Sequence, residues 1–258
     1  MYRKLLTAVI SVSLYWQCIV AGVGIVVGLM ILPVSNVSAR NDNPGVLPPQ
    51  SHPYGLTYGE WSAKWWQFVF SIPGPHNPLL FDNQCAFGQT KPVWFLTGKF
   101  CVSGETCETT GFLSATRNCT IPAHTALFFP IANSENDNLE VNPPKSLEQL
   151  RTEVADFQDQ VISMTCEVDG VPIQGLSPTQ TSPYRVVSPV FDYTLPDNNL
   201  YQFLGLVDSG AQTVKGAVAD GVFLMLAPLS VGPHVIHFTA SFSSGFAFDI
   251  TYHVTVAP

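Results

Sequence analysis

The sequence predicts a mainly β protein, a β-sandwich of jelly-roll or immunoglobulin-like type with two helices on its surface or edge. Three observations predict it. Twenty-one Pro and 19 Gly among 258 residues interrupt helical periodicity too often for a bundle and suit short strands joined by turns. Hydrophobic residues make up 46% and charged ones 12%, enough to build a core and unlike a disordered chain. Segments rich in β-branched and aromatic residues recur at 93–100, 112–116, 126–131, 161–168, 184–193, 202–207, 222–226, 235–242 and 246–256, which suffices for a sandwich.

Residues 1–39 read as a signal peptide or signal anchor. Arg3 and Lys4 precede an almost unbroken apolar run at 5–32, and Val37-Ser38-Ala39 offers the small residues a signal peptidase accepts. As a helix that run would span roughly 42 Å, more than a hydrocarbon core of about 30 Å, so an uncleaved anchor is the alternative, and membrane contact is expected only through 5–32. The expected location is secreted, periplasmic or cell-surface. Of the 11 basic groups, Arg3 and Lys4 lie in the leader, which leaves nine against 19 acidic ones from Arg40 onward, a net of −10. Nucleic acid is not an expected partner, because phosphate binding needs clustered positive charge.

Export makes the cysteines readable as disulfides. Cys85, Cys101, Cys107, Cys119 and Cys166 follow the leader, an odd number. Cys166 shares an inward phase with Ile162, Met164 and Val168 and is expected as a buried free thiol. The other four allow three connectivities. Reading 92–100 and 112–116 as a hairpin with Cys101 and Cys107 across its tip selects Cys101 with Cys107 and Cys85 with Cys119, worth about 2.5 and about 4 kcal/mol in loop-closure entropy.

Residues 40–56, with Pro44, Pro48, Pro49 and Pro53 among polar residues and Gly, read as an extended linker, and 57–258 as a single mostly β domain. Thr57 and Glu60 form a capping box, Trp61, Trp65, Phe68 and Ile72 recur at helical spacing, and Pro73-Gly74-Pro75 ends the first helix. Ser146 with Gln149 starts the second, whose stripe is Leu147, Leu150, Val154 and Phe157 and whose end falls near Gln160. In the final hairpin, Ile236, Phe238, Ala240 and Phe242 must face the same way as Phe246, Phe248, Ile250 and Tyr252. A three-residue loop Ser243-Ser244-Gly245 achieves that by pairing Phe242 with Phe246, and places His253 opposite Val235.

Several blocks together resemble a family of exported, uncharacterised bacterial proteins: Tyr58-Gly59-Glu60-Trp61-Ser62-Ala63-Lys64-Trp65-Trp66-Gln67, Pro92-Val93-Trp94-Phe95-Leu96-Thr97-Gly98, Cys119-Thr120-Ile121-Pro122, Ala126-Leu127-Phe128-Phe129-Pro130-Ile131, and Ala219-Asp220-Gly221 with Pro228-Leu229-Ser230-Val231-Gly232-Pro233-His234. The resemblance implies export and a mostly β fold, and carries no catalytic residues.

No HExxH, GxSxG, P-loop, CxxC pair or dinucleotide fingerprint is present, so no cofactor and no catalytic residue is assigned. Glu60 beside the tryptophans could serve a sugar site as an acid, but its place in the capping box explains it better. Glu135, Asp137 and Glu140, interspersed with Asn133, Asn136 and Asn138, put oxygen ligands for Ca²⁺ in one segment, where a solvated acidic loop is the simpler reading. His237 and His253 approach each other with Asp249 near, on an outward face where a metal is not required. On the first helix, with Trp61 at zero and 100° per residue, Trp66 and Phe70 fall at about 140° and 180°, beyond the core stripe. Two large aromatics beyond the stripe mean either a second buried contact, which is the default, or an exposed stacking surface; if solvent reaches them, Trp66 and Phe70 are the platform for a ligand. The expected function is a non-catalytic, extracytoplasmic protein that binds a ligand or partner, a glycan or an envelope component. The alternative is a secreted carboxylate-dependent hydrolase acting on glycan.

Overall fold

In a computed structural model of the protein, which describes Asn43 and residues 45–258, helix α1 runs over Tyr58–Ser71. The predicted capping box closes it: Glu60 accepts from the Thr57 backbone N–H at 2.8 Å while the Thr57 hydroxyl accepts from Glu60 N at 3.1 Å. That exchange satisfies two otherwise orphaned donors and holds the exposed Glu60 carboxyl below its ordinary range, which accounts for Glu60 without catalysis. The readings of residues 1–39 lie outside the described residues.

Ten strands follow: β1 (Val93–Phe95), β2 (Phe112–Pro122), β3 (Ala126–Asn136), β4 (Val161–Val168), β5 (Val171–Pro172), β6 (Arg185–Val187), β7 (Phe191–Leu195), β8 (Gln212–Leu226), β9 (Gly232–Phe242) and β10 (Ala247–Ala257). Three further helices interrupt them: α2 (Cys107–Thr110), α3 (Leu147–Gln158) and α4 (Leu200–Phe203). One sheet has the order β1-β3-β8-β6, with β7 also paired to β8; the other has the order β2-β10-β9-β4-β5. Most pairs are antiparallel, but β1 runs parallel to β3 and β2 parallel to β10. The fold is thus the two-sheet, mainly β architecture expected.

Phe129 points from β3 to the second sheet and meets Phe238 of β9, while Phe128 points the other way to Tyr58 and Trp61 of α1. Helix α1 therefore forms a third layer. Because both faces of its sheet are covered, β8 is buried without alternation from Ala217 to Leu226. Residues 217–221 have small side chains or a charge and gave no strand signal, which is why 222–226 alone was expected there. Three other expectations fail for local reasons. The segment 184–193 splits around Pro189 into β6 and β7. Residues 202–207 fall in and after α4, whose capping box joins Asn199 to Gln202. In α3, Leu150 and Val154 are buried as expected, but Leu147 and Phe157 are exposed.

The hairpin invoked to choose the disulfides does not form. β1 is three residues long and β2 pairs with β10 instead. The carbonyls that would extend β1 are taken by side chains: Trp65 Nε1 donates to Leu96 O at 2.8 Å, and Arg117 donates to Thr97 O and Gly98 O at 2.7 and 2.8 Å. The pairing itself agrees with expectation, since Cys85 joins Cys119 and Cys101 joins Cys107, with Cα separations of 5.8 and 5.9 Å. Cys166 is free and buried, and burial pushes its thiol pKa up.

The final hairpin has the predicted register. Phe248 pairs with Ala240 and His253 with Val235, Phe242 N donates to Phe246 O, and Gly245 takes the left-handed conformation at φ 89°. The stretch read as a linker docks where it is described: Val46 bridges Leu226, and Leu47 N donates to Met225 O at 2.8 Å. No helix among the described residues is long and apolar enough to cross a membrane, and the two disulfides fit an oxidising compartment.

Candidate functional site

Pro130 sits inside β3, where a proline disturbs the ladder, and the register between β3 and β8 slips there: Pro130 pairs with Phe223 and Ala132 with Val222, leaving Ile131 as an extra residue. The bulge reverses the alternation. Before it, even-numbered Phe128 faces α1; after it, Ser134 donates to Val154 O of α3, and odd-numbered Glu135 meets Tyr201 of α4. Gly221 makes the bend possible from the partner strand, because a Cβ there would lie 2.6 Å from Asn133 Cβ and 2.8 Å from Ala132 O.

The bulge thereby turns Asn133 and Glu135 into a pocket of about 450 Å³ between α1, the end of β3, α3 and α4. Trp66 and Phe70 form its α1 wall, Phe100, Phe157 and Tyr201 contribute further rings, and Glu153 of α3 lies on its lining. Glu135 accepts from the Tyr201 hydroxyl at 3.2 Å, and Asp137 accepts from the Tyr193 hydroxyl and from Leu139 N, each at 2.5 Å. Burial first, and the adjacent Asp137 carboxylate second, hold the Glu135 pKa well above the usual carboxylate range, so it is a proton donor toward Asp137. Burial and the same two acids push the Tyr193 and Tyr201 hydroxyls upward, which keeps both phenols protonated.

Of the two readings for Trp66 and Phe70, burial favours the second packed contact over the exposed platform. The two side chains are 5% and 1% exposed, and Phe70 is sandwiched between Trp66 at 5.2 Å and Tyr193 at 4.2 Å. A second buried contact explains the two extra aromatics: β7 and α4 pack over the side of α1 that a one-sided helix would leave wet. They act as scaffold and pocket wall. Two donors of this wall, Trp66 Nε1 and Asn133 Nδ2, have neither solvent access nor an acceptor. A buried polar group left unpaired costs about 1–3 kcal/mol.

The acidic segment does not gather into a Ca²⁺ loop. Glu140 takes Ser209 N at 3.0 Å and Asp208 N at 3.3 Å, Asn138 brackets Lys145, and Asn136 donates to Glu153, so the oxygens turn to separate protein donors. Among the described residues, the only metal-like cluster is Cys101, Glu105 and Cys107, and its sulfurs form a disulfide. His237 bonds Asp249 at 2.9 Å on the outer face, with no third ligand gathered there among the described residues. Sequence reasoning placed Glu135 in a loop because it ended the strand at Ile131; the mid-strand Pro130 was the signal that a bulge, rather than a strand end, follows.

A second groove of about 440 Å³ lies on the other side of α1, lined by Trp61, Lys64, Phe68, Lys91 and Phe95 among others. Its lining has no buried unpartnered polar atom.

No family model and no curated protein matches the chain. Among solved structures, the cysteine protease inhibitor EhICP2 from Entamoeba histolytica is similar over 57% of this chain and 96% of its own, at 13% identity and a TM-score of 0.20. PbICP-C, solved in complex with falcipain-2, is similar over 63% of this chain and 98% of its own, at 11% identity and a TM-score of 0.22. Likeness at this level carries no functional conclusion.

Proposed function

We propose that the chain is an extracytoplasmic, non-catalytic binding protein, secreted or tethered through residues 5–32, whose ligand occupies the pocket between α1 and the end of β3. The ligand is a glycan or another envelope component. The observation that supports this reading is the pocket of about 450 Å³ itself, walled by Trp66, Phe70, Phe100, Phe157 and Tyr201, with Glu135 and Glu153 on its lining. The test is titration of the ¹⁵N-labelled protein with soluble glycan and envelope fragments. Binding is expected to move the indole N–H signal of Trp66, which walls the pocket, and to weaken by about tenfold in Phe157→Ala, which removes the exposed ring of the lining. A footprint confined to residues outside the pocket, or unchanged affinity in Phe157→Ala, overturns the assignment.

One observation favours the hydrolase alternative: Glu135, held protonated, and Glu153, bonded to Lys145, line the same pocket. That reading requires turnover of an aryl glycoside that disappears in Glu135→Gln.

A further inference from the structure

The two sheets end in strands of very different length. β1, β5 and β6 have three, two and three residues and β7 has five, whereas β2 has eleven and pairs on one side only, with β10. Ala247 N donates to Gly111 O at one end of that parallel ladder, and Ala123 N donates to Ala257 O at the other. Backbone groups alternate in direction along a strand, so the odd-numbered residues of β2 bond β10 and the even-numbered ones point away from it. Ser114, Thr116, Asn118 and Thr120 therefore turn their N–H and C=O groups to the free edge, and all four residues are exposed. No strand or loop among the described residues takes those backbone groups. The free donors stop at both ends, because Phe112 N donates to the Thr110 hydroxyl at 3.2 Å and Pro122 has no N–H.

A bare edge is a template for another strand, and proteins ordinarily shield it by brevity, a bulge, a proline or a charge. The span 114–120 has no bulge and no proline. Its one ionisable residue, Arg117, points inward, is 1% exposed and already bonds Asp82, Thr97 and Gly98, so a strand added beside it costs the guanidinium no further desolvation. A foreign peptide that adds to an edge gains specificity from side-chain pockets, and neither pocket described above is lined by a residue of β2. Charge points to a different occupant. With a net of −10 beyond the leader, copies of this chain repel one another over most of their surface, and a long edge without an exposed charge is where they meet with no like charges opposed. We infer that β2 is the interface of a homodimer, in which two copies pair this edge antiparallel about a two-fold axis at Thr116 and join their sheets. In that register Thr116 lies opposite the partner's Thr116, Ser114 opposite the partner's Asn118 and Phe112 opposite the partner's Thr120. The free N–H groups of Ser114, Thr116, Asn118 and Thr120 then all find carbonyl acceptors. An axis one residue on, at Arg117, would instead set two guanidinium-bearing residues face to face.

The experiment measures sedimentation of the full chain over a range of concentrations, and amide hydrogen exchange at both ends of that range. A concentration-dependent dimer is expected, in which the amides of Ser114, Thr116, Asn118 and Thr120 slow by about tenfold or more on assembly while those of the odd-numbered residues, already bonded to β10, do not change. Thr116→Lys sets like charges opposite each other on an exposed strand face and should weaken the dimer by about tenfold or more, whereas Thr116→Val should leave it within about threefold. A monomer at every concentration overturns the inference. So does a dimer whose even-numbered amides exchange as fast as in the monomer, which would place the contact elsewhere, residues 5–32 included. Protection of those amides in a monomer would mean that another segment of the chain covers the edge, and this too overturns it. A protected dimer indifferent to Thr116→Lys overturns the axis at Thr116. If Thr116→Lys fails to fold, the exchange pattern of the natural chain decides alone.

Discussion

The ring of Phe70 lies against that of Tyr193, 4.2 Å between centroids and 29° between planes, and the Tyr193 hydroxyl donates to Asp137 at 2.5 Å. A helix residue with no polar atom thus fixes one member of an acid pair on another element. Phe70→Ala should remove a side chain 1% exposed and cost about 3–5 kcal/mol in urea denaturation. Because Tyr193 then loses its backing, the indole N–H of Trp66 should also broaden or shift. A loss under about 1 kcal/mol would mean that the stack does not organise the pocket.

Gly221 faces the bulge on β3, and the neighbours of its missing Cβ are strand atoms that cannot swing aside: Asn133 Cβ, Asn133 Cα and Ala132 O, all within 2.8 Å. Gly221→Ala should cost about 1–3 kcal/mol through overpacking and move the resonances of Asn133 and Glu135. Gly98→Ala is the control, since nothing lies within 4 Å of its Cβ position, and a change within about 0.5 kcal/mol is expected. Equal effects in thermal denaturation would show that the close approach at Gly221 is relieved at no cost.

What the sequence makes legible is what local periodicity decides. The Thr57–Glu60 and Ser146–Gln149 boxes, the β9–β10 register and the inward phase of Met164 and Cys166 each follow from residues within a few positions of one another and are present, whereas Ile162, expected in that phase, is exposed at the register slip between Val161 and Ser163. The disulfide partners agree with expectation although the hairpin used to choose them is absent, because nesting by sequence distance held for a different reason: Arg117 and Trp65 pin the 96–98 carbonyls beside β2. The pocket was not legible. Glu135 reaches it through a one-residue bulge, and Trp66 and Phe70 through elements β7 and α4, more than 100 residues away, so no window along the chain contains the site.

His234 lies near the start of β9, where its ring bonds Asp169 at 2.7 Å and Ser230 O at 2.9 Å. The hydrogen bond to Asp169 holds the His234 pKa above its ordinary value near 6.5, so its contribution to stability is complete below about pH 6.5 and is lost as pH rises through the folded value. Against the cost of its burial, Asp169 is held below the usual carboxylate range by His234 and the Val235 N–H, and that contribution is lost in acid. Melting temperature should therefore fall less between pH 6 and 8 in Asp169→Asn than in the natural chain, by about 1–3 °C on a domain of this size. Parallel profiles would show that the pair is not formed in solution.

Glu135 gives the opposite case to Asp169, a carboxyl whose pKa is raised rather than lowered on folding, by burial and by the neighbouring Asp137. The folded state binds that proton more tightly than the unfolded chain does. Its contribution is therefore complete below the unfolded value of about 4.3 and declines as pH rises toward the folded one, with a slope of at most about 1.4 kcal/mol per pH unit for one proton. Glu135→Gln keeps a donor toward Asp137 and has nothing to titrate, so its stability should decline less between about pH 5 and 8 than that of the natural chain. His234 titrates in both proteins and cancels in the difference. Urea denaturation at several pH values reads that difference directly: a gap that widens in favour of Glu135→Gln with rising pH establishes a buried, protonated acid beside Trp66, whereas parallel curves would mean that Glu135 ionises like an exposed carboxylate and that water reaches the pocket floor.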